Sequence, residues 1–274
     1  MKRGNPFALG AIALWATLAS LGVSLSHVPP FLLTGLALLI GSIPAWPQLR
    51  QWRVPPATLA LGVYGLFGFH FLLFIALRHA PPVQANLVNY LWPLLMVVLA
   101  PVLLRGVQLK LVHIVTALVG FAGAAIAIAG GRQLDTGFAW GYLPAAGSAF
   151  IWASYSLLTQ RVARFPTAAI GGFAAVSGLL SLACHSLLEP SAALSGQDWL
   201  LIVLMGLGPL GGAFFLWDAA LKRGDARSIG LLSFLTPLLS TLLLLVLRGD
   251  RPSPSIVLAA VMIVGAALVG TRAR

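Results

Sequence analysis

Long apolar segments alternate with short polar or basic junctions along almost the whole chain. Ten of these segments are long enough, at about 1.5 Å per residue, to cross a hydrocarbon layer of about 30 Å. The pattern therefore predicts an all-α integral membrane protein with ten transmembrane helices. The segments lie at about 7–26, 30–49, 57–78, 83–104, 110–130, 138–160, 168–188, 198–221, 226–247 and 254–272.

The composition supports a membrane protein and excludes several other classes. Of the 274 residues, 59% are hydrophobic and 8% are charged, which is outside the range of soluble domains. A net charge of +11 could indicate a nucleic-acid partner, but the basic residues are dispersed in twos and threes between apolar segments. We therefore expect no nucleic acid. A single cysteine, Cys184, allows neither an internal disulfide nor a thiolate metal cluster.

The basic residues predict the orientation of the chain. With the amino terminus in the cytoplasm, 13 of the 17 lysines and arginines lie on the inner side, and only Arg78, Arg132, Arg248 and Arg251 lie outside. Basic residues near span ends are retained on the cytoplasmic side. We therefore expect a multi-pass protein of a bacterial-type inner membrane with both termini cytoplasmic. The sequence leaves the oligomeric state open and is compatible with a monomer.

The two halves of the chain resemble each other. A shift of 144 positions superposes two glycines and one proline of the first half on the same residue types in the second, and Trp15-Ala16-Thr17 resembles Trp152-Ala153-Ser154. Because each half carries five helices, an odd number, the halves must cross the membrane in opposite directions. We predict one membrane domain built from two inverted five-helix repeats, residues 1–132 and 133–274. The superposed pairs are Gly62 and Gly206, Gly68 and Gly212, and Pro93 and Pro237.

Each half also contains a helix interrupted by proline, in the segments 86–95 and 230–239. A proline removes one backbone donor, so the carbonyls of Asn89 and Ser233 lose their helical partners. Within a membrane such groups are tolerated where protein or a water-filled cavity satisfies them. The matched pair favours a substrate cavity between the repeats, with Pro93 and Pro237 as conformational hinges, over a pair of simple packing kinks.

These features together resemble a known group of proteins. Ten spans in a five-plus-five inverted repeat, a Trp-Ala pair early in each half and paired segments ending in Pro-Leu-Leu resemble the drug/metabolite transporter superfamily. The resemblance covers essentially the whole chain. Within that superfamily, the aromatic spans and the segment from Asn86 to Pro93 are most similar to the bacterial aromatic amino-acid exporters. The resemblance implies efflux of amino acids or similar metabolites.

Side chains inside the spans could form the substrate site. His70 lies about 20 Å into the third span and shares a helical face with Phe67 and Phe74. Ionisable groups at this depth usually face the bundle interior, although a neutral histidine bonded to a backbone carbonyl is the alternative. We expect aromatic rings to contact the side chain of an aromatic substrate and amides to bind its charged groups. The residues that could do so are His70, Tyr90, Trp92, Trp15, Trp152, Tyr155, Asn86 and Asn89.

The sequence shows no energy-coupling machinery of a familiar type. The glycine-rich segment 206–212 lacks the lysine and hydroxyl of a phosphate-binding loop, so no ATP or other cofactor is expected. Asp218, the only acidic residue inside a predicted span, stands four residues before Lys222, which suggests a surface ion pair. Transport would then run down the substrate gradient or use His70 alone for proton linkage.

The prediction is an exporter of amino acids, aromatic ones (Trp, Phe, Tyr) and related metabolites foremost, that works by alternating access to a central cavity. An exporter of hydrophobic drugs or other metabolites with the same fold is the main alternative. A membrane enzyme acting on lipid is a remote one, because the sequence offers no cluster of nucleophile, base or metal ligands. We therefore expect neither catalysis nor a bound metal.

Overall fold

The computed structural model describes residues 3–129 and 137–272, and within these ranges it contains ten long helices and no strand. Nine helices have 19–28 residues, and α6 has 17. The predicted all-α class is confirmed. Lys2, Arg132, Asp135 and Arg274 lie outside the described residues. The helices are α1 Asn5–Ser24, α2 Pro30–Trp52, α3 Pro56–His79, α4 Pro82–Leu103, α5 Leu111–Ala129, α6 Tyr142–Leu158, α7 Ala169–Leu188, α8 Gly196–Arg223, α9 Ala226–Leu247 and α10 Pro254–Arg272.

The packing of the helices repeats itself between the two halves. α2 lies along α7 and α5 lies along α10, so each of these helices packs on its own counterpart. α3 and α4 both pack on α6. Their counterparts in the second repeat, α8 and α9, both pack on α1, which is the counterpart of α6. This exchange of partners is the pattern that a pseudo-two-fold axis produces. Six helices, α1, α3, α4, α6, α8 and α9, meet around that axis.

A wide π-helical turn interrupts α3 and α8 at equivalent positions. The turns are Tyr64–Gly68 and Gly208–Gly212, which are related by the same shift of 144 residues. A π-turn replaces the usual bond to residue i−4 by one to i−5, and such turns are frequent at functional sites. These turns were not predicted from the sequence, although Gly68 and Gly212, one of the matched pairs, lie at their ends.

The predicted interruptions of α4 and α9 are present. α4 consists of Pro82–Asn89 and Trp92–Leu103, and α9 is divided between Ala226–Ser233 and Leu235–Arg248. Pro93 and Pro237 therefore lie in the first turn of the second segment, where proline has the required φ and needs no hydrogen-bonded N–H. The break precedes each proline because the residues just before the proline depart from regular α-helical geometry.

We name the two sides of the bundle by the positions of the chain ends. The terminal face carries Gly4, the junction between α8 and α9 at Gly224, and Arg272. The distal face carries the opposite junctions, where Arg78 of α3 pairs with Glu189 after α7 at 2.7 Å and His27 pairs with Asp198 at 3.1 Å.

Burial differs between the two sides. In α1, six residues of Asn5–Ala16 on the terminal side are buried, whereas none of Leu18–Ser24 on the distal side is. Seven of the eight residues of Ala226–Ser233 are buried on the terminal side. The equivalent segment of the first repeat, Pro82–Asn89, lies on the distal side and buries only Ala85 and Asn89. The bundle is thus tightly packed towards the terminal face and loosely packed towards the distal face.

Candidate functional site

Five large aromatic side chains meet at the centre of the bundle. Their ring centroids are 5.1–6.4 Å apart, and each residue is at most 8% exposed. Most of these contacts are edge-to-face or tilted, which suits the quadrupoles of the rings. We call this group the aromatic cluster. It consists of Trp15, Trp92, Trp152, Trp217 and Phe214.

The aromatic cluster lies on the pseudo-two-fold axis. Trp15 and Trp152, which occupy matching positions in the two repeats, contact each other with centroids 5.8 Å apart. His70 and Phe214, related by 144 residues, are 6.3 Å apart. Residues related by a two-fold operation meet only near its axis, so these two contacts locate the interface between the repeats.

Two indole nitrogens of the cluster have identified partners. The Nε1 of Trp15 donates to the carbonyl of Pro209 at 3.1 Å, within the π-turn of α8. The Nε1 of Trp217 donates to the hydroxyl of Ser156 at 3.1 Å. Both bonds are buried, where loss of a partner costs about 1–3 kcal/mol. They hold α1 to α8 and α6 to α8 at the level of the cluster.

His70 borders the cluster and is oriented by the π-turn of α3. Its Nδ1 lies 2.6 Å from the carbonyl of Leu66, which belongs to that turn. A carbonyl can only accept, so Nδ1 carries the proton, and in the neutral form of the ring Nε2 is an acceptor. The ring contacts Phe69 and Phe74, with centroids 5.0 and 6.0 Å away. The expected contact with Phe67 is not found among the described ring contacts.

The π-turn explains this difference. Phe67 lies inside the turn, and its ring packs on Phe71, with centroids 5.6 Å apart. A straight α-helix places residues three apart on one face, whereas a wide turn rotates the preceding residues away. His70 therefore faces Phe214 and the cluster, while Phe67 joins a separate group of phenylalanines with Phe71.

The amides predicted for the site have different environments. The Oδ1 of Asn89 accepts a hydrogen bond from Ser148 of α6 at 2.9 Å, and both residues are buried. Asn89 therefore holds the break in α4 against α6. Asn86, on the distal side of the break, and Tyr90, within the break, are partly exposed, and the described residues form no side-chain hydrogen bond with either. These two side chains are available to a substrate.

The predicted residues of α6 also reach the centre. Trp152 is part of the cluster, and Tyr155 packs on it with centroids 5.3 Å apart. Tyr155 is 3% exposed, and its ring lies directly over Gly65, where an added Cβ would fall 2.3 Å from the ring. The glycine is needed for this close approach of α3 and α6.

The structure thus brings together five of the predicted residues, His70, Trp15, Trp92, Trp152 and Tyr155. Tyr90 lies in the break of α4, Asn86 lies on its distal side, and Asn89 is engaged in a helix contact. The predicted site residues did not include Trp217, Phe214 or Phe69. A usable signal was present, because Phe214 and Trp217 are three residues apart on α8 and share a face. Trp217 lies near the end of α8, a position that is also typical of interfacial anchors.

The expected surface position of Asp218 is wrong, although the expected ion pair is present. Asp218 lies 2.6 Å from Lys222, but it is only 3% exposed. The hydroxyl of Thr167 donates to the same carboxylate at 2.6 Å. Phe165 covers the lysine, whose Nζ is 4.0 Å from the ring centroid. The helix-end position predicted exposure, but the α6–α7 junction folds over the pair.

The chain belongs to the EamA-like transporter family, within the drug/metabolite transporter superfamily, and the family model matches residues 2–129 and 139–271. The chain is 43% identical to an aromatic amino acid exporter, YddG, of Ancylobacter novellus, over 99% of this chain and 98% of that protein. It is 28% identical to the aromatic amino acid exporter YddG of Escherichia coli, over 98% of this chain and 96% of that one. A solved crystal structure with 43% sequence identity superposes with a TM-score of 0.92 over 98% of this chain and 96% of the other.

Proposed function

We propose that this protein exports aromatic amino acids from the cytoplasm across a bacterial inner membrane, by alternating access to the aromatic cluster. The support comes from two sides. The relatives at 43% and 28% identity are named aromatic amino acid exporters and match this chain along nearly its whole length. The centre of the bundle presents indole and phenyl rings, which bind flat aromatic side chains through dispersion and edge-to-face contacts.

The observation that carries the proposal is the aromatic cluster at the interface between the repeats. Its faces are already in mutual contact, so a substrate ring packs at the distal edge, where His70 borders the cluster and Tyr90 lies two residues before Trp92. Nε2 of His70 accepts a hydrogen bond from the substrate ammonium or indole N–H. Asn86 offers both a donor and an acceptor to the backbone groups of the amino acid.

The helix breaks supply the moving parts. Pro93 and Pro237 follow the breaks in α4 and α9, so the two segments of each helix can tilt independently. We propose that both termini are cytoplasmic; the loosely packed distal face is then periplasmic, and this conformation is the outward-facing state. Transport requires no covalent step, and we propose no enzymatic activity.

Counterflow in proteoliposomes tests the proposal. Vesicles preloaded with tryptophan, phenylalanine or tyrosine should accumulate the labelled substrate, while lysine, glutamate and cationic dyes should not exchange. His70→Ala and Tyr90→Ala should lower the exchange rate by about tenfold or more, because each removes contacts to the substrate. Membrane insertion should stay normal.

His79→Ala is the matched control for His70→Ala. His79 makes the same type of bond, from Nδ1 to the carbonyl of Ile75 at 2.9 Å, but lies exposed at the distal end of α3. Its replacement should leave exchange unchanged. Normal exchange in both His70→Ala and Tyr90→Ala would place the substrate site elsewhere.

The apolar character of the cluster also supports a second candidate, the export of hydrophobic drugs. No charged side chain is among the ring contacts of the cluster in the described residues. A drug exporter would move cationic dyes and ignore the amino-acid backbone. Dye exchange without amino-acid exchange in the same vesicles would therefore favour this candidate.

A further inference from the structure

A basic cleft opens on the terminal face between the α4–α5 and α6–α7 junctions. Its volume is about 540 Å³, which is within the range of small-molecule sites. We call it the terminal vestibule. It is lined by Leu104, Arg105, Val107, Gln160 and Arg161.

The vestibule carries positive charge without a compensating acid. Arg105 and Arg161 are exposed, and neither forms an ion pair with any of the described residues. The acids on this side are engaged elsewhere: Asp218 pairs with Lys222 at 2.6 Å, and Asp225 pairs with Arg227 at 2.8 Å. Two guanidinium groups at one cleft favour a carboxylate or a phosphate, because their donors match the geometry of both anions.

The vestibule shares its walls with the aromatic cluster. On α6, Trp152 and Ser156 are four residues apart and lie on one face, and Gln160 follows two residues after the helix ends at Leu158. Trp152 is six residues from the end of α6, which is about 9 Å along the helix. On α4, Trp92, Met96 and Ala100 have the same spacing, and the wall residue Leu104 follows directly after the helix ends at Leu103.

The space between the cluster and the vestibule is closed in this conformation. Met96 and Ala100 are fully buried on the α4 side. On the α6 side, the hydroxyl of Ser156 accepts the hydrogen bond of Trp217, and the amide of Gln160 donates to the carbonyl of Leu221 at 3.4 Å. α6 and α8 are thus joined at two levels between the cluster and the terminal face.

From this arrangement we infer that the terminal vestibule is the site where the substrate first binds on the terminal side, with its carboxylate at Arg105 and Arg161. The inference rests on the proposed function and adds the recognition of the carboxylate to it. A zwitterionic amino acid enters with its carboxylate towards the arginines. Separation of Trp217 from Ser156 and of Gln160 from Leu221 then opens the way to the cluster.

The test measures how much the carboxylate contributes to recognition. Exchange of labelled tryptophan is measured in phosphatidylcholine vesicles, together with competition by tryptophanamide, which keeps the indole and the amine but lacks the carboxylate. In the double variant Arg105→Gln/Arg161→Gln, the KM for tryptophan should rise about fivefold, because a steering charge is lost. The inhibition constant of tryptophanamide should not rise. In the natural protein, increasing ionic strength should raise the KM for tryptophan, and this dependence should be weaker in the variant.

The control is Arg53→Gln/Arg164→Gln, which removes two exposed charges from the same face outside the vestibule. This control should change neither the KM for tryptophan nor the inhibition constant of tryptophanamide. Equal increases of the KM for tryptophan and the inhibition constant of tryptophanamide in the vestibule variant would contradict carboxylate recognition. No change in either constant would contradict it as well. An effect that occurs only when anionic phosphatidylglycerol is present would assign the arginines to lipid phosphates and overturn the inference. Absence of tryptophan exchange by the natural protein would instead refute the proposed substrate class.

Discussion

The terminal and distal halves of the bundle are built from equivalent segments, yet only one of them is closed. On the terminal side, Ala226–Ser233 of α9 packs on Trp92–Leu103 of α4. Gly230 lies so close that an added Cβ would be 3.2 Å from both the Pro93 carbonyl and the Met96 Cβ. On the distal side, no comparable packing joins Pro82–Asn89 and Leu235–Arg248 in the described ranges.

This difference shows how an inverted repeat can serve transport. The two repeats have related sequences, so each can adopt the conformation of the other. A structure in which one half is closed and its equivalent is open therefore implies a second state with the roles exchanged. We expect the energy difference between the two states to depend on the terminal contacts, which can be tested one at a time.

The largest effect is expected from Gly4→Val, which should break the terminal closure. A Cβ at Gly4 would lie 2.6 Å from the carbonyl of Ala220 and 2.7 Å from the Cα of Gly224, and backbone atoms cannot move aside. Overpacking of this kind costs about 1–3 kcal/mol, so the ratio of closed to open molecules should fall by about 5- to 150-fold. Labelling of Met96→Cys from the terminal side, in a Cys184→Ala background, should become faster.

Gly22→Val is the matched control on the distal half of the same helix. No atom lies within 4 Å of a Cβ at Gly22. This variant should leave the labelling rate of Met96→Cys unchanged. Equal labelling in the two variants would show that the terminal glycine contact does not stabilise the closed half.

The next effect concerns the helix breaks. Asn89→Ala removes the acceptor for Ser148 across α4 and α6, whereas Ser233→Ala at the equivalent position removes a hydroxyl that bonds only its own helix, at the carbonyl of Ile229. We expect Asn89→Ala to lower the free energy of unfolding by about 1–3 kcal/mol and Ser233→Ala to lower it less. Thermal unfolding in detergent compares the two. Equal losses would contradict a connecting role for Asn89.

A smaller effect is expected from Trp217→Phe. Phenylalanine keeps most of the ring packing and loses the bond to Ser156, which should lower the free energy of unfolding by about 1 kcal/mol. Ser156→Ala removes the other partner. If this hydrogen bond is the only interaction that couples Trp217 and Ser156, the double variant Trp217→Phe/Ser156→Ala should be no less stable than the less stable of the two single variants. Additive losses would indicate two independent packing effects.

The smallest effect is expected at the distal rim. Arg78 pairs with Glu189 at 2.7 Å, but the arginine side chain is 40% exposed. Exposed ion pairs contribute about 0–1 kcal/mol, so Arg78→Gln should change stability little and the change should vanish at high salt. Glu189 also accepts from the backbone N–H groups of Phe31 and Leu32, and its burial makes Glu189→Gln more harmful. A larger loss of stability in Arg78→Gln than in Glu189→Gln would contradict this assignment.

Local physics explains what could be predicted without the structure. A membrane-spanning helix needs about 20 apolar residues, so the spans follow from composition along the chain. Proline cannot continue a helix, so the breaks before Pro93 and Pro237 follow from residue type. The shift of 144 residues that relates these prolines also relates the two π-turns, which shows that the repeat extends to backbone geometry.

The tertiary structure alone decided which side chains meet and which half of the bundle is closed. Trp217 joins the aromatic cluster, and Asp218 is buried, because residues distant in sequence pack over the end of α8. Asn89 is held by Ser148 of another helix, which helical spacing cannot indicate. The sequence by itself determined the spans, the repeat and the positions of the breaks, because these depend on neighbouring residues. The closure of one half depends on backbone approach between separate helices, such as that of Gly4 to Gly224, and only the folded molecule specifies it.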